Sequence, residues 1–349
     1  MFSSTYLYNT SSLLYVIVLF GYLLNIGIKS STLKKIFTTI LSIGFIIQSI
    51  GIALRWLESG LVEVHSFLAS SNEIQSRLHY LVLLTQHPPW SDLYEIMIFM
   101  SWGIIFVSLI CEMKWENASF INIFSLLFSL VALGLASLNK GITKPLVPAL
   151  KSWWIMIHVI SASIAYAAGI IAAISSLLFL ISSKSISTRS LLIGSLSTFV
   201  LFLLLLMPDY YSSWDLALLF VIFIGCVLIM VIRLSSINHS SIMPSQTQLD
   251  HISYSNILIS FSFTTVVLIT GCLWAHYAWG RYWGWDPKET GALLIWLTYA
   301  FYLHTRLNYE WSLEKSSLIS ILGFFIIIAG FLGVNLGWFS YGLHSYGRS

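Results

Sequence analysis

The chain has 349 residues, 57% of them hydrophobic and only 9% charged, with a mean hydropathy of +0.85. A soluble domain carries about 25% charged residues, so this surface holds too little charge to face water all round and must meet lipid. The net charge of +3 comes without any basic tract, which argues against nucleic acid as a partner.

Stretches of about 20 apolar residues, the length a helix needs to cross a bilayer, recur along the whole chain. They predict an all-α, polytopic integral membrane protein of about ten transmembrane helices, forming a single membrane domain over 1–349. The helices are expected near 11–28, 36–57, 92–113, 118–137, 152–181, 191–207, 214–233, 254–275, 291–309 and 317–339. Breakers and charges fall between them, as in "KSSTLKK", "NKGITKP", "SSKSISTR" and "MPDYYSSWD". Residues 61–86 are less apolar, with Glu63, His65, Glu73, Arg77 and His79, and are expected to lie against the membrane as an amphipathic segment. No cleavable signal peptide is expected, because apolar segment follows apolar segment and the first ten residues hold no basic group. Cys111, Cys226 and Cys272 stand singly in apolar runs with no CxxC pair, which predicts small buried core residues rather than zinc ligands or a redox couple.

Ten crossings put both termini, residues 58–91, the loops near 138–151 and 208–213 and the stretch "WAHYAWGRYWGWDPKET" (274–290) on one side, termed the P side. Nine of the 17 Lys and Arg residues then fall on the opposite side and eight on or near the P side, so charge does not orient the chain.

The 274–290 stretch is the densest chemical signal. Trp274, Trp279, Trp283, Trp285 and Trp296 are five of the chain's 14 tryptophans and fall within 23 residues. An interfacial aromatic belt accounts for one or two of them, since belts spread over all helix ends. The other reading is a platform for a flat, apolar, anionic ligand, with indoles against its face and Arg281 and Lys288 at carboxylates on its rim. A haem with its two propionates has that shape. Asp286, Pro287 and Glu289 fit helix-start architecture: N-cap, N1 and N3 of the helix that follows.

Nine histidines are present. His158 falls near the P-side start of its helix, one turn after Trp153 and Trp154, and His344 just past the last helix on the same side. Each alone reads as a satisfied polar residue at a helix end. Two on one side, flanking the aromatic stretch in sequence, match bis-His axial ligation of a haem iron. His304 lies about 20 Å along its helix at 1.5 Å per residue, toward the far side. An intramembrane histidine is a functional candidate, with a buried hydrogen bond or an interface position beside Arg306 as the alternative. His276 stands beside the platform as a further candidate ligand.

At this point "WGRYWGWDPKETGALLIW" resembles the tryptophan-rich WWD motif (274–291 here) of haem-handling membrane proteins. Within that group the chain resembles the CcsA family of cytochrome c biogenesis proteins of plastids, cyanobacteria and other bacteria. The segments "IALRWLESG", "SDLYEIMIFMSWG", "PLVPALKSWWIMIHV", "QLDHISYS", "YLHTR" and "FLGVNLGWFSYGLHSYG" run in family order over nearly the whole chain. The resemblance implies cytochrome c biogenesis at the haem-attachment step, as part of a cytochrome c synthase (haem lyase) complex with a CcsB-type membrane partner. Haem b would be bound transiently as substrate, presented on the P side, lumenal or periplasmic, and joined to CxxCH thiols of apocytochromes c and f, which thiol-reducing proteins keep reduced. The implied location is a thylakoid membrane, or else a bacterial inner membrane. Carried over residue by residue, His158 and His344 match the P-side iron ligands and His304 the intramembrane histidine on the incoming path. Three departures stand out: residues 61–86 read as an insertion, 186–233 as two extra helices or a re-entrant hairpin beyond eight family-like helices, and His276 occupies a position where a non-ligand such as Asn is expected. A haem exporter without synthase activity is the alternative, and the absence of a recognisable repeat weighs against a transporter.

Overall fold

A computed structural model describes residues 3–70, 84–85, 88–90, 92–115, 117–138, 146, 148–183, 243–309 and 311–335. Among these residues there are eight α-helices of 20 residues or more: α1 (Ser4–Ile28), α2 (Ser31–Ser70), α3 (Leu93–Lys114), α4 (Ser119–Leu138), α5 (Trp153–Ser182), α6 (Gln246–Trp279), α7 (Pro287–Asn308) and α8 (Leu313–Asn335). A 3-10 turn, Pro148–Leu150, precedes α5. All but α7 are long and apolar enough to cross a membrane. The protein is all-helical among the described residues and is an integral membrane protein, as expected. The helices expected near 191–207 and 214–233 lie outside the described residues.

Local chemistry explains most boundaries. Ser3, Asp92, Ser152, Ser245 and Asp286 are N-caps whose side-chain oxygens accept backbone N–H groups of the first turn. The Ser245 cap starts α6 eight residues before the apolar run expected at 254. At its other end Gly280, at φ 72°, takes the left-handed conformation that closes a helix, and its N–H donates to the His276 carbonyl.

Sidedness follows from long-range contacts. Ala149 pairs with Trp274, His158 with Val267, Ala165 with Ser260 and Ser176 with Ser253, so α5 and α6 run antiparallel. On the P side the Ser4 N–H and hydroxyl donate to Glu58 (2.9 and 2.7 Å), and Arg55 pairs with Glu95 (2.9 Å). On the opposite side Glu112 of α3 accepts from Tyr22 of α1, Thr38 of α2 and Asn122 of α4, and Arg306 of α7 pairs with Asp250 of α6. Because α5 ends and α6 begins on one side, the tryptophan stretch returns to the P side whatever the intervening residues do.

Two helices outrun a bilayer. At 1.5 Å per residue α2, with 40 residues, is about 60 Å long and α6, with 34, about 51 Å, against a hydrocarbon thickness of about 30 Å. The excess of α2 follows its apolar run and stands on the P side, whereas α6 already spends eight residues on the opposite side before its apolar run begins. This corrects the expectation for 61–86: residues 61–70 continue α2 rather than forming a separate surface segment. Gly60 does not break the helix. A Cβ there would lie 2.3 Å from the Leu84 carbonyl oxygen, so this glycine serves close backbone approach. Residues 71–83 and 86–87 lie outside the described residues.

The core is centred on α5, which touches α3, α4, α6 and α8. Ala165, Ala167, Ala168 and Ala172 are fully buried along it, and small residues let neighbouring helices approach closely where no hydrophobic drive exists between helix and lipid. Cys111 is buried, as expected, beside Asn256; Cys272 is only half-buried, which corrects the expectation for that residue, because the neighbouring helices leave that face of α6 partly uncovered. Cys226 lies outside the described residues.

Candidate functional site

The P-side ends of α5, α6 and α7 and the overrun of α2 converge on the tryptophan-rich segment. Its core is a designed-looking turn from α6 into α7. Gly280 ends α6, five residues follow, and Asp286 opens α7. The Asp286 carboxylate accepts the Lys288 N–H (3.0 Å), while the Glu289 carboxylate reaches back to the N–H groups of Asp286 (3.2 Å) and Gly284 (2.8 Å). Pro287 stands at the helix start, so the capping box read from the sequence is present. Such a cap is worth about 1 kcal/mol.

This turn aims the aromatic side chains. Trp285 has φ 56°, a conformation costly for a bulky residue, and is 71% exposed. Trp283 meets it edge-on at 5.7 Å. Arg281 is exposed and its guanidinium lies over Gly284, where a Cβ would sit 2.7 Å from Nη2. Lys288 is half-buried. An exposed indole, half-buried ones beside it and a cation on a P-side turn can receive a flat apolar ligand that carries negative charge at its rim.

Deeper in, His158 sits in the groove between α5 and α6. Its Nδ1 is 2.9 Å from the Val267 carbonyl oxygen, and its ring lies 6.2 Å from that of Trp274. Trp274 in turn packs on Trp279 at 4.9 Å and donates its indole N–H to the Ala149 carbonyl at 2.7 Å. His158, Trp274 and Trp279 therefore form one chain of ring contacts from α5 to the end of α6. The carbonyl accepts only if Nδ1 carries the proton, so the neutral ring keeps its lone pair on Nε2, the arrangement of a metal-ligating histidine.

The segment before α5 is held from two directions. Trp274 binds Ala149 from α6, and Glu63, 3% exposed on the α2 overrun, accepts the Leu146 N–H and pairs with Lys151 at 2.8 Å. Nothing local in sequence pointed to Glu63. Its partners lie more than 80 residues away, and the only available signal was an acid in a region of low charge.

His276 is exposed and stacks flat on Tyr282, with centroids 4.3 Å apart and planes 5° from parallel. Its ring contacts are to Tyr282 and Tyr277, whereas those of His158 are to Trp274. His304 is on the opposite side, exposed, one turn before Asn308 and edge-on to Tyr309 at 5.4 Å. The structure thus brings His158 to the tryptophan segment and keeps His304 away from it, while His344 lies outside the described residues. An apolar groove of about 270 Å³ between α2 and α3, lined by Thr38, Phe45, Phe106 and Met113, belongs to the opposite side.

Residues 90–341 match the family described as Cytochrome C assembly protein. The chain is similar to the cytochrome c biogenesis protein CcsA of Prochlorococcus marinus (strain NATL1A), 38% identical over 271 residues that cover 75% of this chain and 77% of that one. It is similar to the CcsA protein of Pyropia yezoensis, 37% identical over 267 residues covering 74% and 78%. The CcsA protein of Prochlorococcus marinus (strain MIT 9515) aligns over 99% of this chain and 96% of its own length at 30% identity.

Proposed function

From the premise that this chain belongs to the cytochrome c assembly protein family and acts in cytochrome c maturation, we propose that it works at the haem-attachment step. Haem b is the substrate. It rests on the P side, the lumenal or periplasmic face, with Trp279, Trp283 and Trp285 against the macrocycle and Arg281 or Lys288 at the propionates. His158 and His344 are its axial ligands, and His304 serves an earlier transit site. A CcsB-type membrane protein completes the synthase, and apocytochromes c and f provide the CxxCH thiols. The membrane is the thylakoid, in keeping with plastid and cyanobacterial relatives.

The observation that carries this reading is the coupling of His158 to the tryptophan segment through α6. The Nδ1–H points at a backbone carbonyl, so Nε2 is the atom left with the lone pair an iron requires. Haem supplies the vinyl groups to which thiols add. The chain's own part is to hold a ligand and a flat apolar surface in fixed relation, and to present the ring on a turn that stands clear of the bilayer. Orientation is the contribution assigned to the described residues.

The test is the absorption spectrum of the detergent-purified protein co-expressed with its CcsB-type partner. Low-spin Soret and α/β bands are expected in the wild type and a high-spin or absent spectrum in His158→Ala/His344→Ala. Unchanged bands in the double variant would remove both histidines from the iron. Haem that never stays bound, in any variant, would favour the exporter.

A further inference from the structure

The seat of His158 is itself a built feature of α6. Val267, Gly271 and Trp274 fall at i, i+4 and i+7 and so share one helical face. That face meets the imidazole at three points. The Val267 carbonyl takes the Nδ1 proton at 2.9 Å, the Trp274 ring stands 6.2 Å away, and between them the ring lies directly against Gly271. A Cβ on Gly271 would come within 3.1 Å of both Nδ1 and Cε1. Among the described residues the neighbour that this Cβ would meet within 4 Å is the His158 ring.

We propose that Gly271 is a positioning residue for iron ligation: its missing side chain lets His158 reach the Val267 carbonyl, which fixes the ring's tautomer and the direction of Nε2. The inference rests on the haem reading for its purpose, but the geometry it invokes exists without haem. An imidazole whose far nitrogen donates to a carbonyl is a more basic ligand and favours ferric iron. A substitution at Gly271 pushes the ring outward, lengthens that hydrogen bond and turns Nε2 away. Gly271 sits near the P-side end of the apolar run of α6, six residues after Thr265, whose hydroxyl accepts from the Trp296 indole of α7 at 2.9 Å. The seat therefore belongs to the same rigid element that carries the tryptophan turn, and a ligand placed by it is placed relative to that turn.

The experiment uses the full-length protein with its membrane partner, isotopically labelled with ¹⁵N-histidine, and His158→Gln to identify the His158 signal by difference. In haem-free wild type the His158 signal is expected to show a proton on Nδ1. In Gly271→Ala it moves toward the Nε2–H tautomer. In haem-loaded protein Gly271→Ala raises the reduction potential and weakens haem retention about 10-fold, the usual cost of a lost hydrogen bond behind a ligand, and Gly271→Val abolishes the low-spin spectrum. A wild-type His158 protonated on Nε2 overturns the proposal without any variant having to fold. So does a Gly271→Ala protein with unchanged tautomer and unchanged potential. An Nδ1–H tautomer together with low-spin haem that survives His158→Ala sinks the haem reading instead, and leaves the seat as a structural hydrogen bond only.

Discussion

The P-side and opposite ends of the bundle each carry a histidine beside long-range ion pairs, yet they hold it differently. On the P side His158 is between two helices, its Nδ1 on a backbone carbonyl that cannot rotate away. On the opposite side His304 faces outward from α7, and its nitrogen partner is Asn308 on the same helix, an amide that can turn over and so donate or accept. The ion pairs follow only in part: Arg55 and Glu95 are 9% and 1% exposed against 17% and 12% for Arg306 and Asp250, but the P-side Lys151 and Glu63 are 35% and 4% exposed. His158 is fixed in direction by a second helix, whereas among the described residues the partners of His304 are Asn308 and Tyr309, close by in sequence. The difference is written in what the second nitrogen meets, not in the histidines themselves.

Four changes test how far this contrast extends. The largest effect is expected from Arg55→Ala. It removes the guanidinium paired with the buried Glu95 carboxylate at the P-side start of α3, and costs about 3–5 kcal/mol, read as a lower thermal unfolding midpoint in detergent; a fall no larger than that of Asp250→Asn would erase the contrast. Glu63→Ala follows. It frees the Leu146 N–H and Lys151, which is 35% exposed and can turn to water, so the loss is about 1–3 kcal/mol, with protease cleavage before α5 as the local readout. Asp250→Asn at the opposite end is expected to cost about 1 kcal/mol or less and to leave the spectrum of P-side haem unchanged. The smallest stability effect belongs to Trp285→Gly. Glycine adopts φ 56° without the penalty Trp285 bears, so the stability holds or rises by up to about 1 kcal/mol, while haem retention falls. If both stability and retention are unchanged, Trp285 is a belt residue.

A pH effect sharpens the P-side half. Burial, with Glu95 nearby, raises the pKa of the α3 cap Asp92 above the ordinary carboxylate value. Its stabilising contribution is therefore complete below about pH 3.9, the unfolded value, and declines as pH rises through the higher folded one. Asp92→Asn keeps a competent cap and is expected to remove that decline, seen by comparing unfolding midpoints between acid and neutral pH.

Much of the bundle was legible in sequence. Boundaries of α3, α4 and α5 fall within a residue of the expected ones, because "SDLYE" and "KSWW" place a cap directly before an apolar run. The Asp286 cap was legible for the same reason: its partners lie three residues away. The α2 overrun was not, because residues 58–70 are helical without being apolar, and hydropathy reads only the part of a helix that meets lipid. Cys272 was misread for a different cause, since an apolar neighbourhood in sequence does not say which face of a helix its neighbours cover.

The sequence by itself determined what depends on neighbours along the chain: an apolar helical membrane protein, its helix caps, the turn that carries the tryptophans, and the motif that resembles a haem-handling family. Only the tertiary structure decided what depends on approach across 80 residues or more. It set Glu63 on the segment before α5, and it seated His158 against Gly271 with its Nδ1 at hydrogen-bond distance from the Val267 carbonyl. Local hydrogen bonds and hydropathy are written in adjacent letters, whereas the direction of an imidazole is fixed by a helix whose residues lie 109 positions further along.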